Sequence, residues 1–142
     1  MSEQETTVFG KLQKSAIIAV LILDRVEDGV PLAEALLGGG VDAMELTLRT
    51  PAAIGALKEI TAKVPGMLAG IGTILTTDQV KEVVDAGAAF GVAPGMNPRI
   101  VEAALTAGLP FDRGFAPRPI LSGPWNLTGN SSSFSPRNQV VA

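Results

Sequence analysis

The chain has 142 residues, a length typical of one domain, and 46% of them are apolar, which is enough for a hydrophobic core. Its net charge of −3 gives no basic surface for nucleic acid. The lack of cysteine and histidine excludes disulfides, thiolate metal sites and the commonest metal ligand. The acidic N-terminus is unlike a secretory signal, and the longest apolar run, 16–23, is too short to span a bilayer. We therefore expect a cytoplasmic protein with no nucleic-acid or membrane partner.

Segments with strand and helix patterns alternate along residues 1–111. After an amphipathic opening at 8–15, strands are predicted at 16–23, 42–49, 67–73 and 88–94, and the apolar segment 109–111 follows the last helix. Helices are predicted at 26–40, 51–63, 77–86 and 98–107. The strands recur about every 20 to 25 residues, which is typical of parallel strands joined by helical crossovers. A (β/α) barrel and a doubly wound open sheet both fit this periodicity.

The helix ends carry recognisable signals. The glycines at 38–40 are expected to end the first of these helices, and Thr50-Pro51 is expected to cap and open the next. Thr76, Thr77 or Asp78 can cap the third, and Asn97-Pro98 can open the fourth.

The stretch MELTLRT, residues 44–50, carries polar side chains at every second position. In a strand, Glu45, Thr47 and Arg49 would share one face, and the apolar residues between them would share the other. A charged face on an otherwise apolar strand suits the lining of a barrel that contains a site, because (β/α) barrels place their sites at the carboxyl ends of the strands. By pattern alone, however, Glu45 with Arg49 is more often a structural ion pair than a catalytic pair.

Two further signals are weak when taken singly. The spacing Gly70-Ile71-Gly72 is a possible phosphate-binding turn, but most such spacings are only tight turns. Thr73 alone would usually be a strand-end cap or turn residue.

Four motifs together resemble the 2-keto-3-deoxy-6-phosphogluconate (KDPG) and 4-hydroxy-2-oxoglutarate aldolase family. They are AEALLGGGVDAMELTLRT, GIGTIL, AGAAFGVAPG and AGLPF, and they follow the family's order and spacing between about Ser15 and Phe111. The resemblance implies an α/β fold that is part of a (β/α)₈ TIM barrel, with about the first four to five βα units. It also implies a class I aldolase, a lyase of the Entner–Doudoroff pathway that needs no metal or other cofactor.

The same resemblance implies roles for four residues. It makes Glu45 the general acid/base, and it makes Arg49 and Thr73 the groups that hold the pyruvate carboxylate. It places Pro94 beside the same pocket. The implied reaction cleaves KDPG to pyruvate and glyceraldehyde 3-phosphate, and the intact family implies a homotrimer. The chemistry of the residues agrees, since a carboxylate can move protons around an imine and a guanidinium forms a planar fork for a carboxylate.

The chain departs from the family in its lysines. The family forms a Schiff base with a lysine in a later, KFFPAE-like strand, whereas no lysine follows Lys81 here. None of the five lysines, at positions 11, 14, 58, 63 and 81, lies in such a motif. We therefore expect this chain to be inactive by itself. The alternative function is a non-catalytic fragment that self-associates through open strand edges.

Residues 112–142 differ in composition from the preceding domain, 1–111. They contain no lysine and no glutamate but four prolines and five serines, which predicts an irregular or disordered tail. A permitted choice of synonymous codons for this segment, read two nucleotides later, yields a run that resembles the family's next segment, including its lysine strand. We interpret the tail as the product of a frameshift after Phe111.

Overall fold

The structure, a computed structural model, describes residues 3–15 and 17–112. Within these residues, five α-helices alternate with five strands. The helices are α1 (Glu3–Ser15), α2 (Gly29–Gly38), α3 (Ala52–Lys63), α4 (Thr77–Asp85) and α5 (Pro98–Thr106), with a 3-10 turn at Val26–Asp28 before α2. The strands are β1 (Ala19–Leu21), β2 (Ala43–Thr47), β3 (Leu68–Gly72), β4 (Gly91–Val92) and β5 (Phe111–Asp112). The predicted alternation of strands and helices is confirmed.

The five strands form one parallel sheet in which the spatial order follows the sequence order, β1-β2-β3-β4-β5. A doubly wound sheet reverses its strand order at a switch point, and this sheet does not. Because parallel crossovers are right-handed, an order that never reverses keeps every crossover helix on the same side of the sheet. The described residues are therefore part of a (β/α) barrel.

The hydrophobic core lies between the sheet and the helices. It is built from apolar side chains of the strands and from one face of each of α3, α4 and α5. Fully buried members include Met44, Leu46, Leu57, Ile60, Ile71, Val80 and Val83. Burying each such side chain is worth roughly 1.5–3 kcal/mol relative to leaving it in water. This core therefore holds one side of the sheet firmly in place.

The observed strands β1 and β4 are shorter than predicted, and the ends of β2 and α3 differ from the prediction at candidate residues. The strand predicted at 42–49 ends at Thr47, so that Arg49 lies in the turn that follows. Thr50 does not cap α3, because the N-cap residue is Pro51 and no side chain caps the helix there. The Thr50 hydroxyl donates instead to the Leu23 carbonyl, which joins the segment after β1 to the start of α3.

Three other helix ends are as predicted. Thr76 caps α4 in a full capping box with Gln79, and Asn97 caps α5 by accepting from the Arg99 amide. α2 ends at the predicted glycines, where Gly40 has a φ of 85°, a value that L-residues with side chains rarely adopt.

The tail predicted at 112–142 lies outside the described residues, apart from Asp112, which is the second residue of β5. Within the described ranges, none of the helices has the length and apolar character needed to cross a membrane.

Candidate active site

The side of the sheet that faces away from the helices carries a buried carboxylate and a buried hydroxyl. Glu45 is 8% exposed and Thr47 is 6% exposed, and both lie on β2, which also contributes Met44 and Leu46 to the opposite, helix-facing core. The predicted division of β2 into a polar and an apolar face is therefore confirmed up to the end of the strand. We call the polar side the inner face.

The two glycines of β3 leave room for inner-face side chains. A Cβ atom added to Gly72 would overlap the Glu45 carboxylate, and one added to Gly70 would overlap the ring of Phe90. Glu45 and Thr47 are the register partners of these same glycines. The Gly70-Ile71-Gly72 spacing thus makes space for a carboxylate and an aromatic ring. No signal in the sequence singled out Phe90 for this position.

Strand β3 ends in a bulge at Thr73. The Ile71 amide donates to the Phe90 carbonyl at 3.0 Å, so a regular parallel ladder would next join residue 73 to Val92. The Ile74 amide makes that bond instead, at 3.2 Å. One extra residue is therefore inserted at Thr73, which has a left-handed φ of 64°.

The bulge shifts the alternation of side chains at Thr73, which is one of the predicted site residues. Regular alternation would put Thr73 on the helix side with Ile71. The insertion puts Ile74 on that side instead, where it is fully buried in the core. A β-branched residue in the left-handed region is a genuine outlier, and such strain clusters at functional sites. Bulges likewise often re-aim a side chain beside an active site.

The other predicted site residues lie beyond the carboxyl ends of the strands. Arg49 is in the turn after β2 and Pro94 in the bend after β4, and both side chains are exposed. The Leu48 amide donates to the Gly72 carbonyl at 2.9 Å, which keeps the end of β2 beside the end of β3. Since the strands are parallel, Arg49, Thr73 and Pro94 all follow strands at the same end of the sheet.

All five lysines of the sequence lie on helices and are exposed. Lys11 and Lys14 are on α1, and the other three are on the helices that cover the far side of the sheet. Lys63 pairs with Glu59, and Lys81 lies 3.8 Å from Asp78. Each of the five residues is therefore exposed to solvent, and the three on α3 and α4 lie on the helix side of the sheet.

Sequence reasoning placed Thr47 on the inner face but gave it no role. Its hydroxyl oxygen is buried and has no hydrogen-bond partner among the described residues. Buried hydroxyls are nearly always paired, because an unpaired one costs about 1–3 kcal/mol. This exception could not be found from the sequence, since it depends on what surrounds the strand.

Comparison with protein families gives a match over most of the chain. The family model described as KDPG and KHG aldolase matches residues 8–118. A 2-dehydro-3-deoxy-phosphogluconate aldolase of Treponema pallidum is 44% identical over 110 residues, which are 78% of this chain and 52% of that protein. A KHG/KDPG aldolase of Escherichia coli is 34% identical over 116 residues, or 82% of this chain and 54% of that protein.

Solved structures agree with the sequence matches. A KDPG aldolase from Legionella pneumophila, captured with pyruvate as a covalent carbinolamine intermediate, is 36% identical with a TM-score of 0.68. The alignment covers 78% of this chain and 52% of that one. A KDPG aldolase from Zymomonas mobilis is also 36% identical, with a TM-score of 0.62 and coverage of 66% and 44%. This chain thus spans about half the length of the relatives it matches.

Proposed function

The chain belongs to the KDPG and KHG aldolase family, and on that premise we propose that it forms the amino-terminal half of a class I aldolase site. The reaction is the cleavage of KDPG to pyruvate and glyceraldehyde 3-phosphate. The observation that carries this proposal is the buried Glu45 carboxylate on the inner face, in the space left by Gly72. A carboxylate buried on the side of the sheet away from the main core is costly for folding alone, which favours a chemical role.

Glu45 is the proposed general acid and base. Formation of an imine from a carbonyl and an amine, and its later hydrolysis, require protons to be moved at the reacting carbon and its oxygen. A positioned carboxylate can perform these transfers in both directions. Because Glu45 is on β2, a strand that is paired on both sides, its carboxylate is carried by the sheet and not by a loop.

Arg49, Thr73 and Pro94 are the proposed substrate-binding residues. The Arg49 guanidinium can form two parallel hydrogen bonds with a carboxylate such as that of pyruvate. Thr73 can add a hydroxyl donor, and the bulge that re-aims it supports this role. Pro94 would form an apolar wall beside them. All three follow strands at one end of the sheet, which is consistent with a shared pocket.

The electron sink of a class I aldolase must come from outside the described half barrel. Cleavage of the carbon–carbon bond leaves a carbanion, and an iminium formed on a lysine stabilises it. Such a lysine needs a lowered pKa in a partly desolvated pocket. The lysines of this chain are exposed and lie on helices, so none of them is in a partly desolvated pocket. We therefore propose that the 142-residue chain has no aldolase activity by itself.

The remaining parts of the proposal concern the intact protein. We propose that residues 1–111 are the aldolase domain. We also propose that a frameshift after Phe111 removed the segment that carries the Schiff-base lysine and put an unrelated sequence in its place. The restored enzyme would be a cytoplasmic homotrimer of the Entner–Doudoroff pathway. The covalent pyruvate adduct of the Legionella relative supports the choice of pyruvate as product and trapping reagent.

Borohydride trapping tests this proposal. The 142-residue chain and a version with the reading frame restored at codon 112 are each incubated with labelled pyruvate and borohydride. The restored protein should become covalently labelled and should release pyruvate from KDPG, and the short chain should do neither. Labelling of the short chain at one of its five lysines would contradict the assignment.

One observation favours a second function, that of a non-catalytic fragment which self-associates. Val20 is the register partner of Glu45 and so points to the inner face. Ile18 and Ile22 flank β1 two residues on either side of Val20, so the alternation of side chains places them on the same side. These three side chains are 37–55% exposed. In this arrangement they form an apolar strip beside the edge strand β1, which a second copy could cover.

Sedimentation of the purified chain tests this second function, because it measures whether the chain is a monomer or an oligomer. Replacing Val20 with Lys should shift an oligomer toward monomer, because a charge would be buried in the contact. Leu105 on α5 is exposed to a similar extent, 57% against 52%, and Leu105→Lys is the matched control. A chain that is monomeric before any substitution would exclude self-association.

A further inference from the structure

The buried hydroxyl of Thr47 is the polar group that the proposed site leaves without a role. Thr47 is 6% exposed, and its oxygen has no hydrogen-bond partner among the described residues. Its position on the inner face, two residues from Glu45, places it at the end of β2 toward which the site residues lie. Because buried hydroxyls are nearly always hydrogen-bonded, we expect an acceptor close to the Thr47 hydroxyl.

The sheet geometry indicates the Glu45 carboxylate as a candidate acceptor. This carboxylate occupies the volume where a side chain of Gly72 would start, and Gly72 is the register partner of Thr47. Neighbouring strands are about 4.8 Å apart, so this volume lies roughly 5 Å from the Thr47 Cβ. A rotation about one side-chain bond of either residue can close that gap to hydrogen-bond length, and one water molecule can bridge it.

We propose that Thr47 is a positioning residue whose hydroxyl donates a hydrogen bond to the Glu45 carboxylate, directly or through one ordered water. The bond keeps the carboxylate over Gly72, at the height of the strand ends where Thr73 and Arg49 follow. Gly72 supplies the space and Thr47 supplies the donor, so the two register partners act on the same group. The importance of this hydrogen bond for catalysis rests on the proposed function of Glu45, whereas the existence of the bond does not.

The competing explanation is that the threonine is present only for its shape. β-Branched residues are favoured in strands, and the methyl group of Thr47 would then pack while the hydroxyl contributes nothing. Under that explanation Thr47→Val, which keeps the shape and removes an unpaired hydroxyl, should stabilise the chain in any background.

A double-mutant cycle on the 142-residue chain separates the two explanations. Unfolding in urea is measured for the unmodified chain, Thr47→Val, Glu45→Met and the double variant. We expect Thr47→Val to lower the folding equilibrium constant about fivefold or more in the unmodified chain, because the carboxylate loses a donor. In the Glu45→Met background the same change should leave the constant unchanged or raise it, because the acceptor is already gone.

Thr47→Ser is the conservative variant, since it keeps the hydroxyl, and it should preserve the coupling to Glu45. Glu59→Met on α3 removes a carboxylate that lies away from the inner face, so its effect should add to that of Thr47→Val. Stabilisation by Thr47→Val in both Glu45 backgrounds would overturn the proposal.

A second readout does not depend on cooperative unfolding. The side-chain carboxyl ¹³C resonance of Glu45, assigned by its loss in Glu45→Gln, should shift in Thr47→Val and return toward its original position in Thr47→Ser. An unchanged resonance in Thr47→Val would also overturn the proposal. Neither measurement uses turnover, so a chain that shows the coupling but no aldolase chemistry after frame restoration would refute only the proposed function.

Discussion

The Glu45 carboxylate lies over Gly72, in the volume that any side chain at residue 72 would need. The two residues are on adjacent strands, β2 and β3, and are 27 positions apart in the sequence. The absence of a side chain at one position therefore determines where the functional group of the other can be. This relationship explains why a glycine ends a strand that is otherwise well packed.

Gly72→Ala should displace the Glu45 carboxylate. The added methyl group cannot share its volume with the carboxylate, so the Glu45 side chain must move or the strands must separate. We expect a loss of about 1–3 kcal/mol in the free energy of unfolding, the usual cost of overpacking. Urea unfolding measures it. Gly38→Ala is the control, because a Cβ at Gly38 meets no atom within 4 Å, and that variant should not lose stability.

Gly70→Ala should be coupled to Phe90. The new methyl group would overlap the Phe90 ring, which is 2% exposed and has little freedom to withdraw. We expect a cost of about 1–3 kcal/mol for Gly70→Ala alone. In a Phe90→Leu background the same substitution should cost clearly less, because the smaller side chain frees the volume. Additive effects of the two substitutions in thermal or urea unfolding would show that the ring does not lie over Gly70.

Thr73→Gly should stabilise the chain while it removes a proposed substrate contact. Thr73 has a φ of 64°, which costs a β-branched residue of order 1–3 kcal/mol and costs glycine nothing. Part of that gain is offset by the greater entropy of an unfolded glycine, so we expect a net gain of about 0.5–1 kcal/mol.

Thr73→Ala is the matched control for this prediction. It removes the same hydroxyl but keeps the left-handed strain, so it should show no comparable gain in urea unfolding. In the frame-restored enzyme both variants should raise the KM for KDPG. Equal stability of the glycine and alanine variants would show that the bulge is not strained.

Glu45→Gln should lower the activity of the frame-restored enzyme by about 10²-fold or more, because an amide cannot accept and return a proton at neutral pH. The release of pyruvate measures this. Glu34 is an exposed glutamate on α2, and Glu34→Gln should leave the rate unchanged. A rate for Glu45→Gln within a few fold of the unmodified enzyme would remove Glu45 from the proposed chemistry.

Local sequence patterns were sufficient for the order and type of the elements. Apolar runs, helix caps at Thr76 and Asn97, and the glycines after α2 act within a few residues, and each was found where it was expected. The same locality explains why the faces of β2 could be assigned, since side chains alternate along any strand. The four short motifs likewise identified the family, because each is a continuous run of residues.

The features that depend on contacts between neighbouring strands were visible only in the tertiary structure. The periodicity of the elements fits both a barrel and a doubly wound sheet, and the strand order β1 to β5 is the structural feature that separates them. Only the ladder between β3 and β4 showed the bulge that changes the direction of Thr73. The space that Gly72 leaves for the Glu45 carboxylate likewise results from the register of strands distant in sequence, and the burial of the Thr47 hydroxyl without a partner among the described residues was visible only in the folded chain. A pattern within one segment specifies which face a residue occupies, whereas the partner that faces it is set by the packing of the whole sheet.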